Sequence, residues 1–454
     1  MPDPTTPDDR LDPQPAETPD DSPWIEDSSA EPALDEAPLD AAALDVEARA
    51  EVAAFRENLE SGSVAGSASS DADDREEVSR QLRSLRRLMT LRPPGPGIPE
   101  AVAWMVAVVL VHILGGIVGG VVIIVGQVMR SVTPGTPPTT EIVLNVVKSF
   151  PQLVDTYLFE LMMVETIVFF VAAVVATRLR LGARMPRLLG VHALTTKHLL
   201  LILAVWIPLA QSCGGLQLLT SAAWEQWFAH LPGMSFFDNT NVNETIKPLG
   251  ERVPIGLLFL VIAVAPAITE EIIFRGVIGR GLVARHGILA GVIMTSVLFA
   301  AVHIHPAHVV ALLPLAFFIH LIYLVTRSIL APMLLHLLNN SLAVVLLKIT
   351  ATTPALADAS EPNMPWYVMV ISAGIVGLVG WTLWQSRVEY RTDDDELWSP
   401  GYPSVEIPPA SAGASLTMTD CPVGLHRGAI GLAGAYSLMF VVLLVLTLTG
   451  HISA

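Results

Sequence analysis

Residues 254–304 read PIGLLFLVIAVAPAITEEIIFRGVIGRGLVARHGILAGVIMTSVLFAAVHI. Two long apolar runs flank a short polar turn at residues 286–287, and the first run holds the acid pair 270–271 and Arg275. A transmembrane helix needs about 20 predominantly apolar residues. Inside a bilayer, only helices and closed barrels satisfy every backbone polar group. This stretch therefore predicts two antiparallel membrane helices that carry ionisable side chains.

Similar apolar runs occur along most of the remaining chain. They lie near residues 101–129, 158–177, 198–222, 308–326, 329–349, 366–385 and 429–450. Each run is long enough to cross a bilayer as a helix. The predicted fold class is therefore all-α, a polytopic transmembrane helix bundle of about eight or nine spans, preceded by a disordered acidic N-terminal tail.

The acidic tail accounts for the formal net charge of −17, because residues 1–80 contain 23 acidic and five basic side chains. A segment so rich in charge and proline cannot bury enough apolar surface to order itself. We interpret it as a solubilising extension, with a partner-binding segment as the alternative. The rest of the chain is nearly neutral, which excludes a strongly basic nucleic-acid surface. The two cysteines exclude a disulfide framework and a multi-cysteine metal cluster.

The distribution of Lys and Arg between the loops predicts an orientation, since cytoplasmic loops carry an excess of these residues. The basic segments alternate with spans in a consistent way. They are residues 80–92, 178–197, 275–285, 327 and 387–391, whereas residues 130–157, 223–253 and 350–365 hold few bases. We therefore predict an integral, multi-pass protein of the cell membrane with a cytoplasmic N-terminus. The cytoplasmic loop 386–428 is expected to be irregular.

Three neighbouring spans contain polar side chains, and ionisable groups inside membranes are costly enough to mark functional sites. They are Glu270, Glu271 and Arg275 in the first of these spans, His303 in the second, one turn after Phe299, and His336 and Asn340 in the third. Residues four apart on a helix share a face. Glu271 can therefore pair with Arg275, and His336 lies on the same face as Asn340.

The depth of these groups follows from the helical rise. Glu270 lies 16 residues before His286, and His303 lies 17 residues after it. Both would face each other about 24–25 Å from the turn, at about 1.5 Å per residue. His336 lies only about eight residues past Ser328, so the same helical rise does not place it at the depth of Glu270 and His303. A kink, a tilt or a re-entrant segment would be needed.

The chemistry of these side chains allows two mechanisms. A carboxylate beside an imidazole in a dry site can activate water as a general base. A second imidazole and an amide can donate hydrogen bonds to a developing oxyanion. Equally, Glu270, His303 and His336 would supply three ligands to a catalytic zinc ion with one open position. The residues alone leave both mechanisms open.

Together, three motifs resemble a known family. Glu-Glu-x-x-x-Arg (270–275), Phe-x-x-x-His (299–303) and His-x-x-x-Asn (336–340), in this order on successive membrane helices, look like the CAAX-protease and bacteriocin-processing family. These are the CPBP or Abi-type intramembrane proteases, similar to type II CAAX prenyl endopeptidase. The resemblance covers roughly residues 200–350.

The resemblance implies an all-helical intramembrane endopeptidase. In that family, the residues that correspond to Glu270 and His303 activate water, and those that correspond to His336 and Asn340 hold the oxyanion. Glu271, Arg275 and Phe299 would support the site. Members have been described both as metalloproteases and as metal-free glutamate proteases, so the resemblance leaves a zinc cofactor open.

With this resemblance, the chain divides into four predicted regions. They are the tail (1–80), N-terminal membrane helices with basic cytoplasmic segments (81–197), the intramembrane protease core (198–350), and C-terminal membrane helices with a cytoplasmic loop (351–454). The expected partners are the lipid bilayer and a peptide or protein substrate, with a membrane-anchored or lipidated substrate as the narrower expectation. No nucleic acid is expected. The alternatives are a transporter that uses the same polar side chains as an ion path, and a non-catalytic membrane scaffold.

Overall fold

The computed structural model describes residues 95–132, 135, 137–238, 240, 245–353, 364–398, 402–403, 405–408, 414–419 and 421–449. The disordered tail predicted for residues 1–80 and the basic segment 80–92 lie outside the described residues. Within the described part of the chain, eight helices are long and apolar enough to cross a membrane. The predicted all-α transmembrane bundle is confirmed.

The long helices follow the predicted spans closely. They are α1 (Ile98–Ser131), α2 (Leu158–Leu181), α3 (Thr196–Trp227), α4 (Ile255–Ala301), α5 (Pro306–Thr326), α6 (Leu330–Thr352), α7 (Trp366–Gln385) and α8 (Val423–Leu448). Shorter helices cover Thr140–Lys148, Phe150–Thr156, Met185–Leu189, Ser235–Asp238 and Leu249–Arg252. Two strands, β1 (Val388–Arg391) and β2 (Ser415–Met418), pair antiparallel.

Helix α4 turns back on itself at Gly287, whose backbone has φ 80° and ψ 172°. Phe274 before the turn meets Phe299 after it, with ring centroids 5.3 Å apart. Gly291 packs directly on the backbone of Val283, since a Cβ atom added to it would lie 2.4 Å from Val283 Cα. The two antiparallel helices predicted for residues 254–304 are therefore the two halves of α4, residues 255–286 and 288–301. They are joined at the predicted turn.

Helices α1 and α2 approach each other closely because glycine lines their contact. A Cβ atom added to Gly115 would lie 2.9 Å from Glu165 Cα, and one added to Gly119 would lie 2.6 Å from the side chain of Leu161. Small residues at such contacts let helix backbones come together in a membrane. Together with α4, these helices surround one apolar cluster, which includes Phe274 and Phe299.

A second apolar core joins α3, α5, α6, α7 and α8. Pro208 inside α3 has no N–H to donate to the carbonyl of Ala204. The hydroxyl of Ser437 on α8 lies 3.4 Å from that carbonyl oxygen and 2.9 Å from the carbonyl oxygen of Ala433 on its own helix, to which it donates. A polar side chain of a neighbouring helix thus lies beside the backbone group that the proline leaves free.

The loops predicted to share the cytoplasmic side meet at one end of the bundle. These loops are far apart in the sequence, and ion pairs and hydrogen bonds join them. The contacts include Arg180 with Glu100 at 3.0 Å, Arg285 with the carbonyl of Gly95 at 3.3 Å, Arg280 with Glu406 at 2.7 Å, and Arg327 with the carbonyl of Val388 at 2.7 Å.

The expectation of an irregular loop at residues 386–428 is wrong where β1 and β2 pair. Val388 and Tyr390 on β1 are buried, and the guanidinium of Arg327 lies 5.1 Å from the ring centroid of Tyr390. Burial against the helix bundle stabilises a two-stranded sheet that would be marginal in isolation.

Candidate active site

The acid pair lies on a short α-helical stretch between two π-helical stretches. Residues Phe259–Val264 and Ile272–Gly279 are π-helical, and Ala265–Glu271 between them is α-helical. A π-helix is wider than an α-helix and often occurs at functional sites. It also changes which side chains share a face. The even 3.6-residue periodicity assumed from the sequence therefore does not hold throughout α4.

Asn340 is bonded to the π-helical stretch that precedes Pro266, through the carbonyl oxygen of Ile262. Asn340 Nδ2 donates to that oxygen at 3.0 Å, and Asn339 Nδ2 donates to Asn340 Oδ1 at 3.3 Å. A side-chain amide carries two N–H groups. One N–H of Asn340 thus anchors α6 to α4, and the amide retains a second donor.

Glu271 and Arg275 form a buried ion pair, as their spacing predicts. Arg275 Nη1 lies 2.9 Å from Glu271 Oε1, and both side chains have 0% exposure. Arg275 Nη2 donates to the carbonyl oxygen of Ala316 at 3.1 Å, and its guanidinium lies 4.3 Å from the ring centroid of Phe299. The charged end of Arg275 is therefore held by a carboxylate, a carbonyl and an aromatic face.

His336 lies between the two adjacent carboxylates. Its Nδ1 donates to Glu271 Oε1 at 2.8 Å, and its Nε2 lies 4.0 Å from Glu270 Oε2. Glu270 Oε2 is buried and has no hydrogen-bond partner among the described residues. Glu271 Oε2 likewise has no partner among the described residues, but the Glu271 side chain is 0% exposed and its other oxygen holds Arg275 and His336. The Glu270 side chain is 16% exposed, so it is the glutamate that a substrate can reach.

The burial of the turn before α6 explains why His336 lies at the same depth as Glu270. The turn before α6 is itself buried, with 0% exposure at Ser328 and 1% at Ile329. Ser328 Oγ donates to the carbonyl of His192 at 2.6 Å, and Ile329 N donates to the carbonyl of Gly190 at 3.3 Å. Helix α6 therefore begins below the surface, under the 182–195 connection. Eight residues are enough for it to bring His336 level with Glu270.

His303 lies in the short connection between α4 and α5. Its Nδ1 donates to the carbonyl of Phe299 at 3.2 Å. The Phe299 ring centroid lies 5.6 Å from that of His303 and 5.8 Å from that of His336. In the part of the chain that the structure describes, no hydrogen bond joins His303 to Glu270. The structure thus brings Glu270, Glu271, Arg275, Phe299 and His336 together directly, and joins His303 to them through Phe299.

Two further pairs of polar side chains lie near the site, although the sequence did not identify them as site residues. The ring of His308 lies 5.4 Å from that of His303, and His308 Nδ1 lies 2.9 Å from Gln217 Oε1 on α3. On the other side, His112 Nδ1 lies 2.8 Å from Glu165 Oε1. Their signal in the sequence was only their polarity inside apolar helices.

A zinc ion would need three ligand atoms around one point. Among the described residues, no group of three or more His, Cys, Asp or Glu side chains is arranged to hold a metal ion. Within the proposed set of Glu270, His303 and His336, the Nδ1 atom of His336 is bonded to Glu271 and that of His303 faces a carbonyl, which leaves Nε2 of both rings free. Zinc-binding histidines are commonly held in this way as well, and the steps proposed for the site use its side chains alone.

Comparison with known proteins agrees with the motifs. Residues 252–342 match the family model described as type II CAAX prenyl endopeptidase Rce1-like. No curated protein and no solved structure matches the chain. The matched segment contains all three motifs, and the apolar helices support an integral membrane protein. Over residues 252–342 the chain is therefore similar to the type II CAAX prenyl endopeptidases, a family of proteases.

Proposed function

We propose that the protein is an intramembrane endopeptidase in which Glu270 acts as the general base. The observation that carries this proposal is the position of Glu270, whose Oε2 lies 4.0 Å from His336 Nε2 and has no hydrogen-bond partner among the described residues. Glu271 Oε2 also has no such partner, but its side chain is 0% exposed and its other oxygen is bonded to Arg275 and His336, whereas the Glu270 side chain is 16% exposed. The similarity of residues 252–342 to a protease family supports the assignment.

The attacking water donates one proton to Glu270 as its oxygen bonds to the carbonyl carbon of the substrate. His303 assists, because its Nδ1 donates to the Phe299 carbonyl and leaves Nε2 of the neutral ring as an acceptor. When the tetrahedral intermediate collapses, the carbon–nitrogen bond breaks. Glu270 then returns the proton to the leaving amine, the role expected of a general base that becomes a general acid.

The oxyanion is stabilised from α6. This role requires a proton on Nε2 of His336, facing the oxyanion, in addition to the proton on Nδ1 that faces Glu271. The second N–H of Asn340 is the other donor. Donors that are held in place before the reaction cost no reorganisation in the transition state. The ion pair of Glu271 and Arg275 supplies this rigidity, because it fixes the ring of His336.

The membrane orientation is part of the same proposal. The basic segments predicted to be cytoplasmic meet at one end of the bundle, for example through Arg180 with Glu100 at 3.0 Å. Positive residues favour the cytoplasmic side. That end therefore faces the cytoplasm, and the N-terminus lies on the same side.

The proposed substrate is a peptide with a lipidated cysteine near its C-terminus. The support is the name of the matching family, a CAAX prenyl endopeptidase, together with the location of the site among membrane helices. Two probes test this choice: a fluorogenic peptide with an S-farnesylated cysteine followed by three residues, and the same peptide without the farnesyl group.

The deciding variant is Glu270→Gln, which keeps the shape of the side chain and removes the base. We expect cleavage by the purified protein in detergent micelles to fall by about 100- to 10,000-fold, since general-base catalysis contributes this much. His303→Ala, His336→Ala and Asn340→Ala should each reduce cleavage as well. The matched control is Glu160→Gln, which makes the same chemical change at an exposed position on α2.

Cleavage at the wild-type rate by Glu270→Gln would contradict the proposal. The role of metal is decided by the same assay. Elemental analysis of the purified protein and activity after chelation test the zinc mechanism that the sequence left open. A metal-free mechanism requires full activity without bound metal.

A further inference from the structure

Two ionisable side chains in the first two membrane helices are not used by the mechanism above. His112 lies on α1 and Glu165 on α2, and His112 Nδ1 lies 2.8 Å from Glu165 Oε1. Both precede the segment 252–342 that matches the protease family. Since ionisable groups inside membrane helices are costly, a pair that the chain retains there calls for a function.

This pair is held rigidly. The ring of His112 packs against that of Phe169, with centroids 4.2 Å apart. Gly115, almost one turn after His112, allows α2 to approach so closely that an added Cβ atom would lie 2.9 Å from Glu165 Cα. Aromatic packing and close helix contact therefore fix both members of the pair relative to each other.

The pair lies beside the candidate active site. Phe169 belongs to the same apolar cluster as Phe274 and Phe299, and Val111, next to His112, packs against that cluster. Phe299 in turn contacts the rings of His303 and His336. The electrostatic interaction of His112 with Glu270 agrees with this placement.

The pair is also accessible. The side chains of His112 and Glu165 are 39% and 33% exposed, and that of Glu270 is 16% exposed. With Nδ1 of His112 donating to Glu165, the subsite requires the ring to carry no proton on Nε2, so that this nitrogen is an acceptor. No described residue forms a hydrogen bond to that nitrogen. The pair thus presents acceptor atoms, a ring nitrogen and a carboxylate oxygen, at a partly exposed contact between α1 and α2.

We propose that His112 and Glu165 form a substrate-binding subsite that accepts hydrogen bonds from backbone N–H groups of an extended peptide, next to the bond that Glu270 hydrolyses. This inference rests on the proposed peptidase function and adds a role for α1 and α2. An extended peptide exposes a backbone N–H at each non-proline residue. A fixed pair of acceptors can therefore hold the substrate main chain regardless of its side chains.

The test compares KM and kcat for the farnesylated peptide with purified wild-type protein, His112→Ala and Glu165→Ala in detergent micelles. Loss of a hydrogen bond made equally in the ground state and the transition state raises KM and leaves kcat unchanged. We expect KM to rise about 3- to 10-fold in each variant, the usual size for one hydrogen bond. His112→Gln retains an acceptor oxygen at the end of its side chain and should restore part of the affinity.

The control is Glu160→Ala on the same helix, which should leave KM unchanged because its exposed carboxylate is outside the pair. If wild-type protein cleaves the peptide and both variants keep the wild-type KM, the subsite is disproved and the peptidase function stands. If kcat and the unfolding midpoint fall together with KM unchanged, the pair only supports packing, which also overturns the inference. If wild-type protein cleaves neither peptide, it is the proposed function that fails.

Discussion

Helices α4 and α8 are both apolar enough to cross a membrane, but the protein uses them differently. The most apolar 18-residue stretch of α4 is 56% buried inside the protein, and that of α8 is 11% buried. The charged groups of α4 are held by neighbouring helices, whereas α8 adds only Ala429, Ala433 and Tyr436 to the buried core of the described residues. Apolar composition therefore identifies the spans, and buried polar partners identify which span carries the chemistry.

The largest effect is expected where α4 buries its charges. Glu271→Ala removes the carboxylate that pairs with Arg275 at 2.9 Å and leaves a guanidinium with 0% exposure unpaired. Breaking a buried ion pair in this way costs about 3–5 kcal/mol. The free energy of unfolding of the purified protein in detergent micelles should fall by this amount, as measured by circular dichroism against denaturant.

The matched control replaces both partners, as Glu271→Leu with Arg275→Met. Exchange of a whole buried pair for apolar side chains is often neutral, so the double variant should be more stable than Glu271→Ala. Equal stability of Glu271→Ala and the wild type would show that the pair does not hold the motif segment of α4 in place.

Much of α4 could be predicted from the sequence. The turn at residues 286–287 was predicted because the two apolar runs meet at a polar, glycine-containing junction, and the structure reverses at Gly287. The pairing of Glu271 with Arg275 follows from a spacing of four residues. Such local rules depend only on residues close together in the chain, which is why they succeed.

Other features of the site depend on contacts between distant segments. The bond from His336 to Glu271 joins residues 65 positions apart. The depth of His336 depends on the burial of Ser328 under another loop. The π-helical stretches on either side of Ala265–Glu271 likewise leave no clear signal in hydropathy. The spacing of residues within one helix does not determine these contacts, because each contact also needs a residue from another helix or loop.

A smaller effect is expected at the reversal of α4. Gly287 has φ 80° and ψ 172°, a backbone conformation almost restricted to glycine. Gly287→Ala should therefore destabilise the protein by about 1–3 kcal/mol, measured by the same unfolding assay. The α8 counterpart is Gly434→Ala, where no neighbouring atom lies within 4 Å of an added Cβ. Alanine should be neutral or stabilising there, since glycine weakens a helix interior. If both substitutions have the same effect, the special backbone at Gly287 does not contribute to stability.

The smallest effect is expected on the outer face of α8. Leu438 is 66% exposed. Because it packs against little of the protein, Leu438→Ala should change the free energy of unfolding by less than about 0.5 kcal/mol. The matched substitution in α4 is Leu282→Ala at 1% exposure, which should cost about 2–5 kcal/mol because it leaves a cavity. Both are measured by unfolding in the same micelles, so that the detergent environment is shared. A loss at Leu438 as large as that at Leu282 would mean that α8 is covered by another protein surface, and the contrast between an inner and an outer helix would no longer hold.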